Sequence, residues 1–182
     1  MFNQSSLKGL KRASLPIIFA LSAPLMLAGC GEEPDAQAQS TEIASQALAF
    51  SKALTVYKSP TCGCCEDWIK HADENGFELT AEHPQDLAGL KADLGIGPQY
   101  RSCHTAVTKE GFVFEGHVPA KLVEQFLASP PKDAIGLAVP GMPAGSPGME
   151  MGDRFTPYQV LTLMKDGTHQ LYAMVDSQSE QY

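Results

Sequence analysis

Thr55-Val56-Tyr57-Lys58-Ser59-Pro60-Thr61-Cys62-Gly63-Cys64-Cys65 decides how the rest of the chain reads, because it places three of the five cysteines within four positions at the end of a strand-like run. Thr55 to Lys58 has strand composition, Ser59-Pro60-Thr61 breaks it, and the pattern turns helical from Cys65 onward, so the thiols belong at a strand-to-helix junction. Cys65, Trp68, Ile69 and Ala72 fall at i, i+3, i+4 and i+7. That spacing turns Cys65 toward a core and Cys64 about 100° away from it. Cys62 precedes the helix, and Gly63 lets the backbone turn tightly.

Working outward, the element order is strand 55–58, helix 64–75, strand 77–82, helix 85–94, strand 104–108, strand 112–116 and helix 119–128. Asn75-Gly76 and Gly95 mark helix ends, and Pro130-Pro131 stops the last helix. Lys109-Glu110-Gly111 separates two apolar runs and predicts a hairpin. The order β-α-β-α-β-β-α, with cysteines after the first strand, predicts an α/β fold of the thioredoxin-like kind over residues 53–130. Residues 136–152 hold Pro, Gly and three methionines. They predict a loop without regular structure that packs on the domain, because a solvated linker has no use for methionines. Tyr158–Met164 and Gln170–Val175 flank Lys165-Asp166-Gly167-Thr168 and predict a C-terminal hairpin. Residues 131–182 therefore add loop and hairpin to the same domain, and the polar tail from Asp176 reads as frayed.

The N-terminal part is of another kind. Lys8, Lys11 and Arg12, then the apolar run Leu15–Ala28, then Leu27-Ala28-Gly29 before Cys30 have export-signal anatomy. Pro16, Pro24 and the short length argue against a spanning helix. The ending resembles the lipobox of bacterial lipoproteins. This implies cleavage after residue 29 and a lipid on Cys30, and with Gly31 next, an outer-membrane destination facing the periplasm. The alternative is a plain secretory signal. Residues 31–41 read as a tether, and Ile43, Ala47, Phe50 and Leu54 recur at helical spacing, predicting a short helix within 30–52. The formal charge of −8 becomes three units more negative without residues 1–29. Such a surface disfavours nucleic acid and anionic headgroups as partners.

Four cysteines remain: Cys62, Cys64, Cys65 and Cys103. Cys62 and Cys65 have the spacing of a dithiol exchange pair, with helix N–H groups favouring thiolate. A Cys64–Cys65 bridge is poor, since neighbouring α-carbons are about 3.8 Å apart and unstrained bridges want roughly 4.4–6.8 Å. A thioredoxin-like topology sets Cys103 opposite the motif. Four convergent sulfurs suit Cu(I), Zn(II) or iron–sulfur clusters. Contiguous ligands argue against one structural zinc, which remains the weaker alternative. Four thiolates on one Cu(I) leave a charge of about −3, whereas four Cu(I) leave about zero, the cheaper state when partly buried. The reading is a multinuclear, thiolate-bridged Cu(I) cluster.

His104 is either a further ligand or a satisfied strand residue, and His117 reads more readily as structural. His71, His83 and His169 read as surface residues. Met142, Met149 and Met151 offer thioethers to Cu(I) or simply fill gaps. Lys58 and Arg101 lie near the motif and either offset thiolate charge or sit in solvent.

Tyr57-Lys58-x-Pro60-x-Cys62-Gly63-Cys64-Cys65-x-x-Trp68, Cys103-His104-Thr105, Gly116-His117-Val118-Pro119 and Pro140-Gly141-Met142-Pro143-x-Gly145-Ser146-Pro147-Gly148-Met149-Glu150 together resemble the CopG-type periplasmic copper-resistance proteins, over about residues 53–151. The resemblance implies a thioredoxin-like fold, an exported location, and copper held by Cys62, Cys64, Cys65 and Cys103. Partners are then copper ions and other envelope copper-handling proteins, with the membrane met only through the lipid. Two other readings stay open. One is an enzyme, a dithiol-disulfide oxidoreductase with Cys62 attacking and Cys65 resolving. Against it, Cys103-His104-Thr105 occupies the place where such enzymes carry a cis-proline. The other is a structural domain with Cys62 or Cys65 bridged to Cys103.

Overall fold

A computed structural model describes residues 51–182. The signal segment, Cys30 and the tether lie outside these residues, as does the predicted short helix up to Phe50. Leu54, the last residue of that helical pattern, is instead in a strand. Seven strands and three helices follow in chain order: β1 (Ala53–Lys58), α1 (Gly63–Glu74), β2 (Glu78–Glu82), α2 (Leu87–Asp93), β3 (His104–Thr108), β4 (Val113–Glu115), α3 (Ala120–Ala128), β5 (Ala134–Ala138), β6 (Tyr158–Met164) and β7 (His169–Val175).

All seven strands form one sheet in the order β2-β1-β3-β4-β5-β6-β7. β1 is parallel to β2 and antiparallel to β3, and β3 is antiparallel to β4. That is the order and direction of a thioredoxin-like core. β1 alternates because it is central: Leu54, Val56 and Lys58 are buried, and the residues between them half-buried. The sheet is covered on both faces. Leu54, Val56, Ala106 and Phe114 pack on one side with Trp68 and Ala72 of α1 and Val123 and Phe126 of α3. On the other side Val113, Ala138, Leu161 and Leu163 pack with Ile96 and Tyr100, just beyond α2.

α1 exists for the reason its spacing gives. Cys65, Trp68, His71 and Ala72 are its buried stripe, and Trp68 Nε1 donates to Val118 O at 2.9 Å. The helix closes with Phe77 N–H on Ala72 O and Gly76 N–H on Asp73 O, the paired bonds of a glycine C-cap.

Two expectations are corrected. β5 takes Gly136–Ala138 out of the supposed irregular loop, lying parallel to β4 after the α3 crossover and antiparallel to β6. The hairpin β6–β7 thus continues the sheet itself. The glycine in β5 reflects close strand approach, because a β-carbon at Gly136 would stand 1.7 Å from Val113 O. The tail is not frayed either. Gln178–Gln181 forms a 3-10 turn whose Gln181 is fully buried, accepting from Tyr158 Oη at 2.7 Å and donating to Gly145 O at 2.7 Å.

Candidate metal centre

β1 and β3 are neighbours, and their last paired residues are Lys58 and His104. The chain leaves β1 just past that pair, turns through Ser59–Thr61 with Cys62 N–H on Ser59 O at 3.1 Å, and starts α1. It enters β3 through Cys103. The N-terminus of α1 and Cys103 are therefore delivered to the same end of the sheet by backbone pairing alone. Cys62 is the residue before the helix, and its sulfur takes no part in capping it. Cys65 is fully buried, while Cys64 is only partly so, as the helical spacing requires.

The four sulfurs of Cys62, Cys64, Cys65 and Cys103 all lie within 4.8 Å of one another. Cys62 and Cys65 are joined as a disulfide, Cys64 and Cys103 are free, and Cys64 Sγ lies 3.7 Å from Cys62 Sγ. The sulfurs stand over the first turn of α1, where unpaired backbone N–H groups favour negative charge.

Two imidazoles complete the cluster. Cys103 Sγ is 3.1 Å from His117 Nε2 and 3.3 Å from His104 Nδ1. These three residues form a second group with ligand-capable atoms within 4.8 Å of one another. His117 Nδ1 lies 2.8 Å from Pro147 O, and a carbonyl only accepts, so Nδ1 carries the proton. Burial holds His117 below the usual histidine pKa, and the neutral ring presents a bare Nε2 lone pair to Cys103. Burial, then the charge on Cys64, push the Cys103 thiol up to about 11. Its S–H therefore donates to His117 Nε2. His104 is also neutral, held well below the usual value by burial and then by His117, Lys91 and Lys58. Its Nδ1–H is left to donate to the same sulfur. The ring rests on Trp68 with centroids 4.6 Å apart, and Nε2 is buried without a partner.

The basic residues near the motif part company. Lys58 is not in solvent: its side chain is fully buried, with Nζ 2.7 Å from Glu66 Oε1 and donating to Ser59 O at 2.9 Å. Arg101 is half-buried and donates from Nε to Ile96 O. His83 and His169 are exposed as expected. His71 is not; it is buried on α1, and its Nε2 accepts from Ala120 N–H at 3.1 Å, capping the start of α3.

The Pro/Gly/Met segment lies over this end of the domain. Pro147 O holds His117, Gly145 O is held by Gln181, and Gly148 sits on α1 so closely that a β-carbon there would stand 2.6 Å from Trp68 N and 2.8 Å from Cys64 O. Of its methionines, Met142 and Met151 are 54% and 60% exposed and Met149 is half-buried.

Sequence reasoning missed a third layer. Glu115 and Lys91 are a buried ion pair behind Cys103, with Glu115 fully buried on β4 and Lys91 3% exposed on α2. Burial pushes the Glu115 carboxyl up, and Lys91 beside it pulls it part of the way back. The available signal was a carboxylate in the apolar run Phe112-Val113-Phe114-Glu115, which is seldom buried without a partner.

A family model described as "Protein of unknown function, DUF411" matches residues 100–149, which contain Cys103, His104, His117 and the Pro/Gly/Met segment. No curated protein matches the chain. Two solved structures do. One, "Copper resistance protein copG- Form 1", is 45% identical with a TM-score of 0.63 and covers 68% of this chain and 96% of that one. The other, "Copper resistance protein copG- Form 2", is 44% identical with a TM-score of 0.64 and covers 68% of this chain and 97% of that one. With this identity over nearly the full length of those proteins, and the four-cysteine constellation in place, the chain belongs to the CopG-type copper-resistance family.

Proposed function

We propose that this protein binds copper as Cu(I) through Cys62, Cys64, Cys65 and Cys103, in a thiolate-bridged multinuclear cluster, as part of copper resistance in the bacterial cell envelope. The observation that carries the reading is the convergence of all four sulfurs within 4.8 Å. Cys64 and Cys65 are adjacent in sequence, so bridging between several ions suits them better than a shared place on one. Soft thiolates select Cu(I), and several Cu(I) ions offset a charge that one cannot. His117, with its Nδ1–H held by Pro147 O and its Nε2 lone pair facing Cys103, has the carbonyl-oriented form of a metal-binding imidazole and would become the fifth donor once Cys103 gives up its proton to bind copper. Copper is cargo here, and loading all four sulfurs requires the Cys62–Cys65 disulfide to take up two electrons and two protons from a thiol reductant. Redox cycling is part of this reading: an external one-electron oxidant would take bound Cu(I) to Cu(II), and a thiol reductant would return it. In this reading the chain is exported and carries a lipid on Cys30, with the domain facing the periplasm from the outer membrane; the lipobox-like Leu27-Ala28-Gly29-Cys30 supports it.

Anaerobic Cu(I) titration of the reduced protein tests this. The expected result is several copper ions per chain, with fewer in Cys103→Ser. One tightly held zinc and no copper beyond one equivalent refutes it.

The disulfide favours a second reading, a dithiol-disulfide oxidoreductase built on Cys62 and Cys65. In that case the protein reduces insulin disulfides and Cys103→Ser leaves copper stoichiometry unchanged.

A further inference from the structure

We infer that Lys91 and Glu115 are positioning residues that hold Cys103 in register with the three sulfurs of the α1 motif. The inference rests on the four-sulfur reading of the site. Ser102, the residue before Cys103, precedes β3, so the sheet gives its backbone no partners; the ladder there ends with Gly116 N–H on His104 O. A buried N–H and C=O without partners is costly, and free ones let the peptide rotate. Both are taken by the ion pair. Ser102 N–H donates to Glu115 Oε1 at 2.5 Å, and Lys91 Nζ donates to Ser102 O at 3.1 Å while also contacting Glu115 Oε1. Glu115 Oε2 is held in turn by Thr105 Oγ1 at 2.5 Å. One ion pair thus ties α2, β3 and β4 to both polar groups of a single residue, one position from the fourth sulfur.

The remaining contacts of Ser102 make the same point. Its hydroxyl donates to Gly141 O, and a β-carbon on Gly116 would stand 2.6 Å from Ser102 Cβ and 2.6 Å from Val139 O. Nothing in this arrangement is the best route to stability. Well-packed apolar side chains in place of a buried ion pair are often as stable or more so. What apolar residues cannot do is fix the orientation of the Ser102 peptide, and with it the direction in which Cys103 Sγ leaves the chain.

That contrast gives the test. In K91M/E115L the ion pair is replaced by apolar side chains of similar size. In E115Q the side-chain oxygen still accepts from Ser102 N–H, and the amide donates to Thr105 Oγ1. Three measurements are made on each full-length protein after reduction: the urea midpoint, the alkylation rate of Cys103 without metal, and Cu(I) affinity and stoichiometry by competition with a chromogenic chelator. The expected result is that K91M/E115L stays folded with a midpoint lowered only by what the unpaired Ser102 backbone groups and Thr105 hydroxyl cost, alkylates severalfold faster at Cys103, and loses about 10–100-fold in copper affinity with fewer ions bound. E115Q recovers most of both losses. The inference is overturned if K91M/E115L stays folded with unchanged Cys103 alkylation and copper binding, or if E115Q behaves no better than the double variant. If the wild-type protein takes up no copper, the four-sulfur reading fails, while the alkylation rates still decide whether the pair positions Cys103.

Discussion

Gly148→Ala puts the packing of the Pro/Gly/Met segment on α1 to a quantitative test. Gly148 has φ +83°, and a β-carbon there would meet three backbone atoms: Trp68 N at 2.6 Å, Cys64 O at 2.8 Å and Trp68 Cα at 3.0 Å. None of these atoms can swing aside, because they belong to the first turns of α1. The left-handed conformation costs a non-glycine residue about 1–2 kcal/mol. Overpacking against fixed backbone adds about 1–3 kcal/mol. Their sum is about 2–5 kcal/mol, or about 1–2.5 M in urea midpoint at roughly 2 kcal/mol per molar. Gly152→Ala is the control, since φ there is +62° with no atom within 4 Å of the added carbon. It carries only the conformational cost, about 1–2 kcal/mol. Urea unfolding followed by Trp68 fluorescence reads the global loss. Nitrogen chemical shifts of His117 read whether Nδ1 still donates to Pro147 O when the segment is pushed off the helix. Equal midpoints for Gly148→Ala and Gly152→Ala, with an unchanged His117 spectrum, would refute the argument that close approach to α1 anchors this segment.

Burial, opposed by Glu150 and Glu74, holds His71 below its ordinary 6.5, and the neutral ring accepts from Ala120 N–H. The unfolded chain therefore binds the proton more readily, so the contribution is complete above about pH 6.5 and is lost as pH falls below it. Thermal melts between pH 7.5 and pH 5 should show a smaller decline in His71→Gln, whose amide oxygen accepts the same bond at every pH. Gln181→Ala removes the partners of Tyr158 Oη and Gly145 O together, and each buried bond lost costs about 1–3 kcal/mol. Differential scanning calorimetry should show a Tm well below wild type, whereas a frayed tail would leave it unchanged.

Much of the fold was legible because local signals agreed. The stripe Cys65, Trp68 and Ala72 named the helix and its buried face, and Lys109-Glu110-Gly111 named the hairpin. β5 was illegible because Gly136 and the prolines nearby look like loop, and only the closeness of Val113 O explains the glycine. Leu54 fitted a helical period by coincidence and a strand by its pairing with Leu79. At the site, the cysteines could be grouped from topology alone, since pairing of β1 with β3 follows from the element order. His117 reads from the sequence more readily as structural, and its approach to Cys103 is not visible there because the carbonyl that orients it, Pro147 O, is thirty residues away. Lys58 stays open between thiolate counter-charge and solvent for another reason: its partner Glu66 is on the far side of the turn. The Lys91–Glu115 pair joins a helix to a strand, and no local pattern links the two.

The pairing of Lys58 with His104 also sets where this chain can gain or lose residues without disturbing the site. The chain's approach to Cys62 on one side and Cys103 on the other is framed by the spacing of two hydrogen-bonded strands, about 4.8 Å. It does not depend on how many residues the chain uses to travel between them. A length change at the exposed turn around Asn75 therefore leaves that frame alone. One residue gained between Lys58 and Cys62, or between Cys103 and His104, shifts a sulfur relative to that frame. The chain is elastic over the long path and rigid over the two short ones.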